Sequence, residues 1–316
     1  AVGGRPHGET QAIAEAGECA RGSTAYVTLE PCAHHGRTPP CAEALITAGI
    51  ARVVIAATDP DTRVSGKGAQ ILREAGVEVV DDVLATKAIE GLSGYLNRSL
   101  KKRPEVTLKL AVSADGMIGR KGEAQVAITG DIAHRMVHVM RSEVDAIMVG
   151  AGTVAADDPE LTCRLPGMEK RSPIRIILDG NLRISLDSKL VRSAHAIPVW
   201  IAALPGADPA KRAELEAQGC RILSCEDHEG TIALPELLDD LGAEGIASVM
   251  LEGGSKLIRS FFNDRMIDRI CILTSQVVIG DDGIASPINP DHMPDGFKLV
   301  REDWYGPDRR RDYVRV

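Results

Sequence analysis

Apolar positions along the chain come in short runs with two alternating rhythms. Residues 24–29 (TAYVTL), 53–57 (VVIAA) and 77–80 (VEVV) are β-branched or closely apolar and predict strands. Between them, residues 8–17 (GETQAIAEAG), 41–49 (CAEALITAG) and 68–76 (GAQILREAG) repeat apolar residues at helical spacing and each ends on glycine, a helix stop. Residues 85–100 read as one amphipathic helix leading out of this β-α-β-α-β alternation. From residue 106 the rhythm restarts with strands expected at 106–113, 146–152, 173–180, 198–203, 248–254 and 269–275. Helices are expected near 132–141 and 256–262, which makes a mostly parallel α/β pattern. The charged run RSLKKRPE at 98–105 separates the two halves and reads as a short solvated linker, so domains are expected at 1–101 and 104–316.

With 316 residues the chain can bury a substantial core in each half. Only 3% of residues are aromatic and the net charge is -8, with no basic run, so nucleic-acid binding is not expected. The seven cysteines are odd in number and lack framework spacing, which suits a reducing cytoplasm. No apolar run reaches transmembrane length and the opening AVGGRPHGE does not read as a signal peptide, so no membrane partner is expected.

The densest chemistry lies in TLEPCAHHGRTPPC, residues 28–41, together with GRPHGET at 4–10. A catalytic dication needs three protein ligands and an open fourth position, and His7, Cys32 and Cys41 can supply them. Glu9 then remains free to shuttle protons, which matches the His-x-Glu plus Pro-Cys…Cys signature of zinc deaminases. Single histidines and cysteines are usually structural; this set, in this order, points to Zn2+. Pro39 and Pro40 suit a helix start, placing Cys41 in a first helical turn where the helix dipole favours a thiolate. His7 and Glu9 should straddle the start of the first helix, leaving the metal between two helix N-termini. Asp59 and Asp61 end a buried strand, where α/β sheets place ligands, although a solvated turn explains them equally well. In the second half, two strands end in glycine turns, at 149–153 and 252–255, that could admit a phosphate.

Eight residues separate Cys32 from Cys41, and the insert GRTPPC within that segment makes it closely similar to the deaminase half of the bifunctional riboflavin-biosynthesis deaminase/reductase family. KLAVSADGMIG, TVAADDPELTCR and EGG, in that order, resemble the reductase half of the same family, which is similar in fold to dihydrofolate reductase. The resemblance implies a cytidine-deaminase-like α/β domain followed by a dihydrofolate-reductase-like one, with Zn2+ and NADPH as cofactors. It implies deamination of a pyrimidine ribosyl phosphate and reduction of the product's ribosyl group to ribityl, in a cytoplasmic homo-oligomer, a dimer or tetramer. Carried over by position, His34, Arg37, Asp59, Asp61, Thr129, Arg141, Leu161, Arg164 and Glu252 match substrate contacts. Ala111, Thr153, Asp157 and the run Gly254, Ser255, Lys256, Leu257, Ile258, Arg259, Ser260 match NADP contacts. Glu9, Lys109 and Glu252 are the expected catalytic residues, Lys109 and Glu252 handling protons or polarising the reacting carbon. The chain departs from the family at Gly8, where alanine is usual, and at 122–129, where the family's Gly-Glu-Ser-x-Trp-Ile-Thr is replaced by GEAQVAIT. Only six residues precede His7, where the family carries a helix, two strands and a Pro-Asn-Pro turn, and the deaminase half is expected to lack them. Two other readings stay open: a reductase whose first half is a scaffold, and a noncatalytic nucleotide-binding regulator.

Overall fold

The computed structural model describes residues 7–35, 39–61, 65–123 and 126–316. The chain divides into two compact units, Ala1–Lys101 and Lys102–Val316.

In the first unit, β1 (Thr24–Leu29), β2 (Arg52–Ala57) and β3 (Glu78–Val80) form a parallel sheet in the order β1-β2-β3. The helices are α1 (Gly8–Ala16), α2 (Cys41–Thr47), α3 (Lys67–Glu74), α4 (Ala85–Gly91) and α5 (Ser93–Lys101). As the middle strand, β2 is covered on both faces, which is why VVIAA carries no polar residue; Val53, Ile55 and Ala57 are buried. Leu45 of α2 and Leu72 of α3 pack with them, each fully buried side chain contributing about 2 kcal/mol. The expected stop of α2 is real: Gly49 adopts φ +73°, and Ile50 N–H reaches back to the Leu45 carbonyl at 3.2 Å. The single helix expected over 85–100 is instead two, broken at Leu92, next to Gly91 with its poor helix propensity.

The second unit opens with β4 (Glu105–Val112), β5 (Met117–Arg120), α6 (Asp131–Glu143), β6 (Ala146–Gly150) and α7 (Ala151–Asp157). It continues with β7 (Ile174–Leu178), α8 (Lys189–Arg192), β8 (Val199–Ala203), α9 (Pro209–Ala217), β9 (Arg221–Ser224), β10 (Asp227–His228) and β11 (Thr231–Ile232). After α10 (Leu234–Ala243), β12 (Ser248–Leu251), α11 (Ser255–Asn263) and β13 (Arg269–Thr274) come β14 (Gly283–Ala285), β15 (Phe297–Tyr305) and β16 (Asp308–Arg315). Nine strands form one sheet in the order β15-β16-β13-β4-β12-β6-β7-β8-β9. It is parallel from β13 to β9, and β16 runs antiparallel to both β13 and β15. Strand alternation divides the side chains between two cores: Val106, Leu108, Leu110 and Val112 of β4 enter one with Leu238 and Phe261, while Ile147, Val149, Ile177 and Ile201 enter the other. The same alternation leaves Lys109 and Ala111 together on the opposite face of β4.

The boundary is not a plain solvated linker. Arg103 is 9% exposed and donates a forked pair of hydrogen bonds, 2.6 and 2.8 Å, to Asp268, which also accepts from Val106 N–H at 3.0 Å. Residues 98–101 of this stretch end α5, and Arg103 is anchored within the second unit.

Candidate active sites

In the first unit His7 is the N-cap of α1, Cys32 follows β1, and Cys41 opens α2. The His7 ring does not cap its helix; its Nδ1 lies 3.2 Å from Cys41 Sγ and 3.6 Å from Cys32 Sγ. All three donor atoms fall within 4.8 Å of one another. Tetrahedral zinc with ordinary Zn–S and Zn–N bonds needs nitrogen–sulfur edges of about 3.6 Å, so this donor set fits Zn2+. Glu9, in the first turn of α1, brings its negative charge close to Cys41. The helix-start effect expected at Cys41 falls on its neighbour: Cys41 N–H points at Cys32 Sγ, 3.2 Å away. The hydrogen bond from the Cys41 thiol, with this amide, holds the Cys32 thiol below its ordinary value, whereas the contact with Cys32, burial and the Glu9 charge push the Cys41 thiol up.

Two carboxylates hold the surroundings. Glu30, 4% exposed and two residues before Cys32, accepts from the amides of Gly66 (2.8 Å), Gly68 (2.9 Å) and Ala69 (3.2 Å), tying the start of α3 to the end of β1. The approach is so close that a Cβ on Gly68 would stand 1.9 Å from the Pro31 carbonyl oxygen. Asp59 is also buried; it accepts from Asp61 N–H at 2.8 Å and from the Tyr95 hydroxyl of α5 at 3.1 Å. Burial and the Asp59 charge push the Tyr95 phenol up to about 12, so it stays a donor. His34 buries an Nδ1 that has no partner among the described residues. Arg37 lies outside the described residues, as do Ala124 and Gln125 of the departing 122–129 stretch.

In the second unit, Glu252 leaves the end of β12 and meets Arg141 of α6 across a 3.0 Å ion pair, with side chains 15% and 12% exposed. Arg141 also donates to the Thr162 carbonyl at 3.3 Å. Burial would raise the Glu252 carboxyl, but the charges of Arg141 and Lys109 outweigh it and hold the group at about 2. Glu252 is therefore an anion flanked by two cations. Arg164, by contrast, is exposed and pairs with Glu160 at 2.9 Å, and Leu161 is 2% exposed with its side chain in the core and φ +56°. Thr129 is half-buried just ahead of α6.

The two glycine turns end the neighbouring strands β6 and β12 and close on each other: Gly254 N–H donates to Thr153 Oγ1 at 3.1 Å. A Cβ on Gly253 would meet Leu257 at 3.4 Å and the Gly150 nitrogen at 3.9 Å, both ordinary contacts. Thr153 and Asp157 lie on α7, where burial raises the Asp157 carboxyl; a cavity of 540 Å³ between α7 and residues 183–188 is lined by their neighbours Gly152, Val154, Ala155 and Asp158 and not by these two. The paired glycine turns at the starts of α7 and α11 present backbone amides of the kind that receive a dinucleotide's phosphates. Within α11 the expected contacts do not share one face: Ser255, Lys256, Arg259 and Ser260 reach the surface, Leu257 packs against the glycine turns, and Ile258 is buried in the core.

Residues 104–306 match the RibD C-terminal domain, and residues 3–57 match the cytidine and deoxycytidylate deaminase zinc-binding region. The riboflavin biosynthesis protein RibD of Bacillus amyloliquefaciens is 40% identical over 299 residues, covering 95% of this chain and 78% of that relative. The chain belongs to the RibD family. RibD of Escherichia coli is 33% identical over 324 residues, with 96% and 85% of the two chains covered. The structure of RibD from Acinetobacter baumannii superposes with a TM-score of 0.84 at 34% identity, covering 99% of this chain and 86% of that one. A deaminase/reductase from Thermotoga maritima gives 0.82 at 31% identity, with the same coverage. Like other RibD proteins, this one is a bifunctional α/β enzyme, a zinc-dependent deaminase and an NADPH-dependent reductase; the scaffold reading of its first half is not favoured. Among the described residues no helix is long and apolar enough to cross a membrane.

Three residues of these sites escaped the sequence reading. Glu30 stands two residues before Cys32 in the segment TLEPC, a position visible in the sequence. Tyr95 is the lone aromatic of a polar helix, and its partner lies 36 residues away. His138 sits one helical turn before Arg141, a spacing that puts both on one face.

Proposed function

We propose that the first unit, residues 1–101, releases ammonia from 2,5-diamino-6-ribosylamino-pyrimidinone 5'-phosphate. The second, residues 104–316, then reduces the ribosyl group of the product to ribityl. The observation that carries the reading is the convergence of His7, Cys32 and Cys41, with Glu9 in the first turn of the helix that His7 caps. Bound zinc would supply an activated water at neutral pH. Glu9 takes the proton released in the attack and returns it to the departing amine; Asp59, oriented by Tyr95, and His34 and Arg37 hold the pyrimidine ribosyl phosphate. Bound NADPH would supply the hydride. Ala111, Thr153, Asp157 and residues 254–260 align it, while Lys109 and Glu252 hold or move the proton at the opening ribose. Arg141 and Arg164, with Thr129 and Leu161, receive the substrate, the arginines offering forked donors to its phosphate. A net charge of -8 and seven free cysteines support a small-molecule enzyme of the reducing cytoplasm rather than a nucleic-acid binder, and we take it to work as a homo-oligomer.

The deciding experiment measures ammonia release with NADPH omitted, comparing the chain with Glu9→Gln at equal zinc content. Release that collapses by roughly 10²-fold or more in the variant supports Glu9 as the shuttle. NADPH oxidation on adding the cofactor then tests the second unit. A zinc-loaded, folded chain that releases no ammonia would refute the deaminase assignment.

A further inference from the structure

The segment from Leu161 to Arg164 is held unusually firmly for a loop. Leu161 and Cys163 bury their side chains, both 2% exposed, and Cys163 N–H donates to Ser172 Oγ at 3.1 Å. The remaining attachment is to one face of α6. Arg141 donates to the Thr162 carbonyl at 3.3 Å. His138 Nδ1 lies 3.1 Å from the same carbonyl and 3.3 Å from Arg164 N–H. One imidazole nitrogen cannot donate to a carbonyl and accept from an amide at the same time. Because the Thr162 carbonyl already has a donor in Arg141, the Nε2–H tautomer, which leaves Nδ1 as acceptor for Arg164 N–H, satisfies both backbone groups. The ring must be neutral to accept, and its surroundings favour that: burial, Arg141, Arg164 and His134 all disfavour the charged form, against the Thr162 carbonyl alone.

We propose that His138 is a positioning residue of the reductase site: as the Nε2–H tautomer it holds the Arg164 amide through Nδ1 and fixes the 161–164 loop beside Arg141. Arg164 is exposed, and among the described residues its guanidinium pairs with Glu160, the residue just before the loop. The backbone bond to His138 therefore decides where this guanidinium starts and how far from Arg141 it stands. The inference rests on the assignment of Arg141 and Arg164 as the substrate's cationic contacts. It adds a residue that need not touch the substrate and acts through the loop.

Replacing His138 by asparagine or glutamine separates position from mere bulk. Asparagine can place its Oδ1 close to where Nδ1 stood, as an acceptor for Arg164 N–H; glutamine carries its amide out toward the Nε2 position. In the full-length, zinc-loaded protein, His138→Ala and His138→Gln are expected to raise the reductase KM for the pyrimidine substrate about tenfold. The KM for NADPH, the reductase kcat and ammonia release should each stay within about twofold, and His138→Asn should recover most of the lost affinity. An unchanged substrate KM in His138→Ala, a glutamine variant as good as asparagine, or a parallel rise in the KM for NADPH would overturn the proposal. Arg164→Ala tests the assignment beneath it: if that variant leaves the substrate KM unchanged, the assignment fails and the clamp fails with it. If only Arg164→Ala raises KM, the assignment stands and the role of His138 is refuted.

Discussion

The Arg141–Glu252 pair gives a quantitative prediction for stability as well as activity. Glu252 is held at about 2 against its ordinary 4.5. A folded value below the unfolded one means stability that is fully present above pH 4.5 and is lost as pH falls toward 2. A shift of that size corresponds to about 3 kcal/mol, of which about 2 kcal/mol should be gone by pH 3. Arg141→Gln removes the largest source of the depression and leaves a carboxylate that is 15% exposed without its ion-pair partner. At pH 7 the second unit should therefore lose about 3 kcal/mol, in the range for breaking a buried ion pair. Both tryptophans, Trp200 and Trp304, lie in this unit, so fluorescence during urea unfolding follows it and not the deaminase. With a urea slope of roughly 2–3 kcal/mol per molar, the midpoint should move down by about 1 M at pH 7. Between pH 4.5 and pH 3 the wild type should weaken and the variant change much less. A variant that matches the wild type at pH 7, or the same acid slope in both, would show that the pair does not set the Glu252 charge.

The other sites give sharper, smaller tests. Gly68→Ala drives a Cβ into the Pro31 carbonyl and should shift Cys32, lowering zinc retention against a chelator and destabilising the first unit by about 1–3 kcal/mol; normal metal content and melting would refute this. Thr153→Val removes the acceptor of Gly254 N–H and should raise the KM for NADPH about fivefold, with Thr153→Ser close to wild type in steady-state assays. Tyr95→Phe deprives Asp59 of its hydroxyl donor, and ammonia release should show a KM about fivefold higher with reductase kinetics unchanged.

How much of this was legible in the sequence depended on what carried the signal. Strands such as 53–57 and 269–275 declare themselves because burial on both faces demands continuous apolar residues. The C-terminal hairpin β15–β16 escaped because its period of two is carried by charge: Arg310 pairs with Asp312 at 2.8 Å, two residues along one face, and Arg309 reaches Glu302 across the strands at 2.9 Å. Short ribbons such as β5–β14 and β10–β11 have too few residues to show a period. At the sites, local spacing was enough to group His7, Glu9, Cys32 and Cys41. It could not reveal Arg141 against Glu252, 111 residues apart, except through family resemblance. Nor could it show that Arg103 is anchored to Asp268, 165 residues on. Charge runs look alike in sequence whether water or a distant carboxylate receives them.

The placement of β4 has a consequence for how the protein is made. It is the first strand of its unit, yet its partners are β12 and β13, and the register sets Glu105 against Ser248 and Thr107 against Arg269. Both pairings span well over a hundred residues. A ribosome adding roughly 5–20 residues per second needs on the order of ten seconds or more to deliver them. During that interval Val106, Leu108, Leu110 and Val112 have no sheet to enter, and the nascent unit exposes a ready strand with two open edges. Synthesis in cells short of chaperones, or faster elongation at higher temperature, should lower the yield of the reductase unit before it affects the first unit, whose strand pairs β1–β2 and β2–β3 each close within about thirty residues.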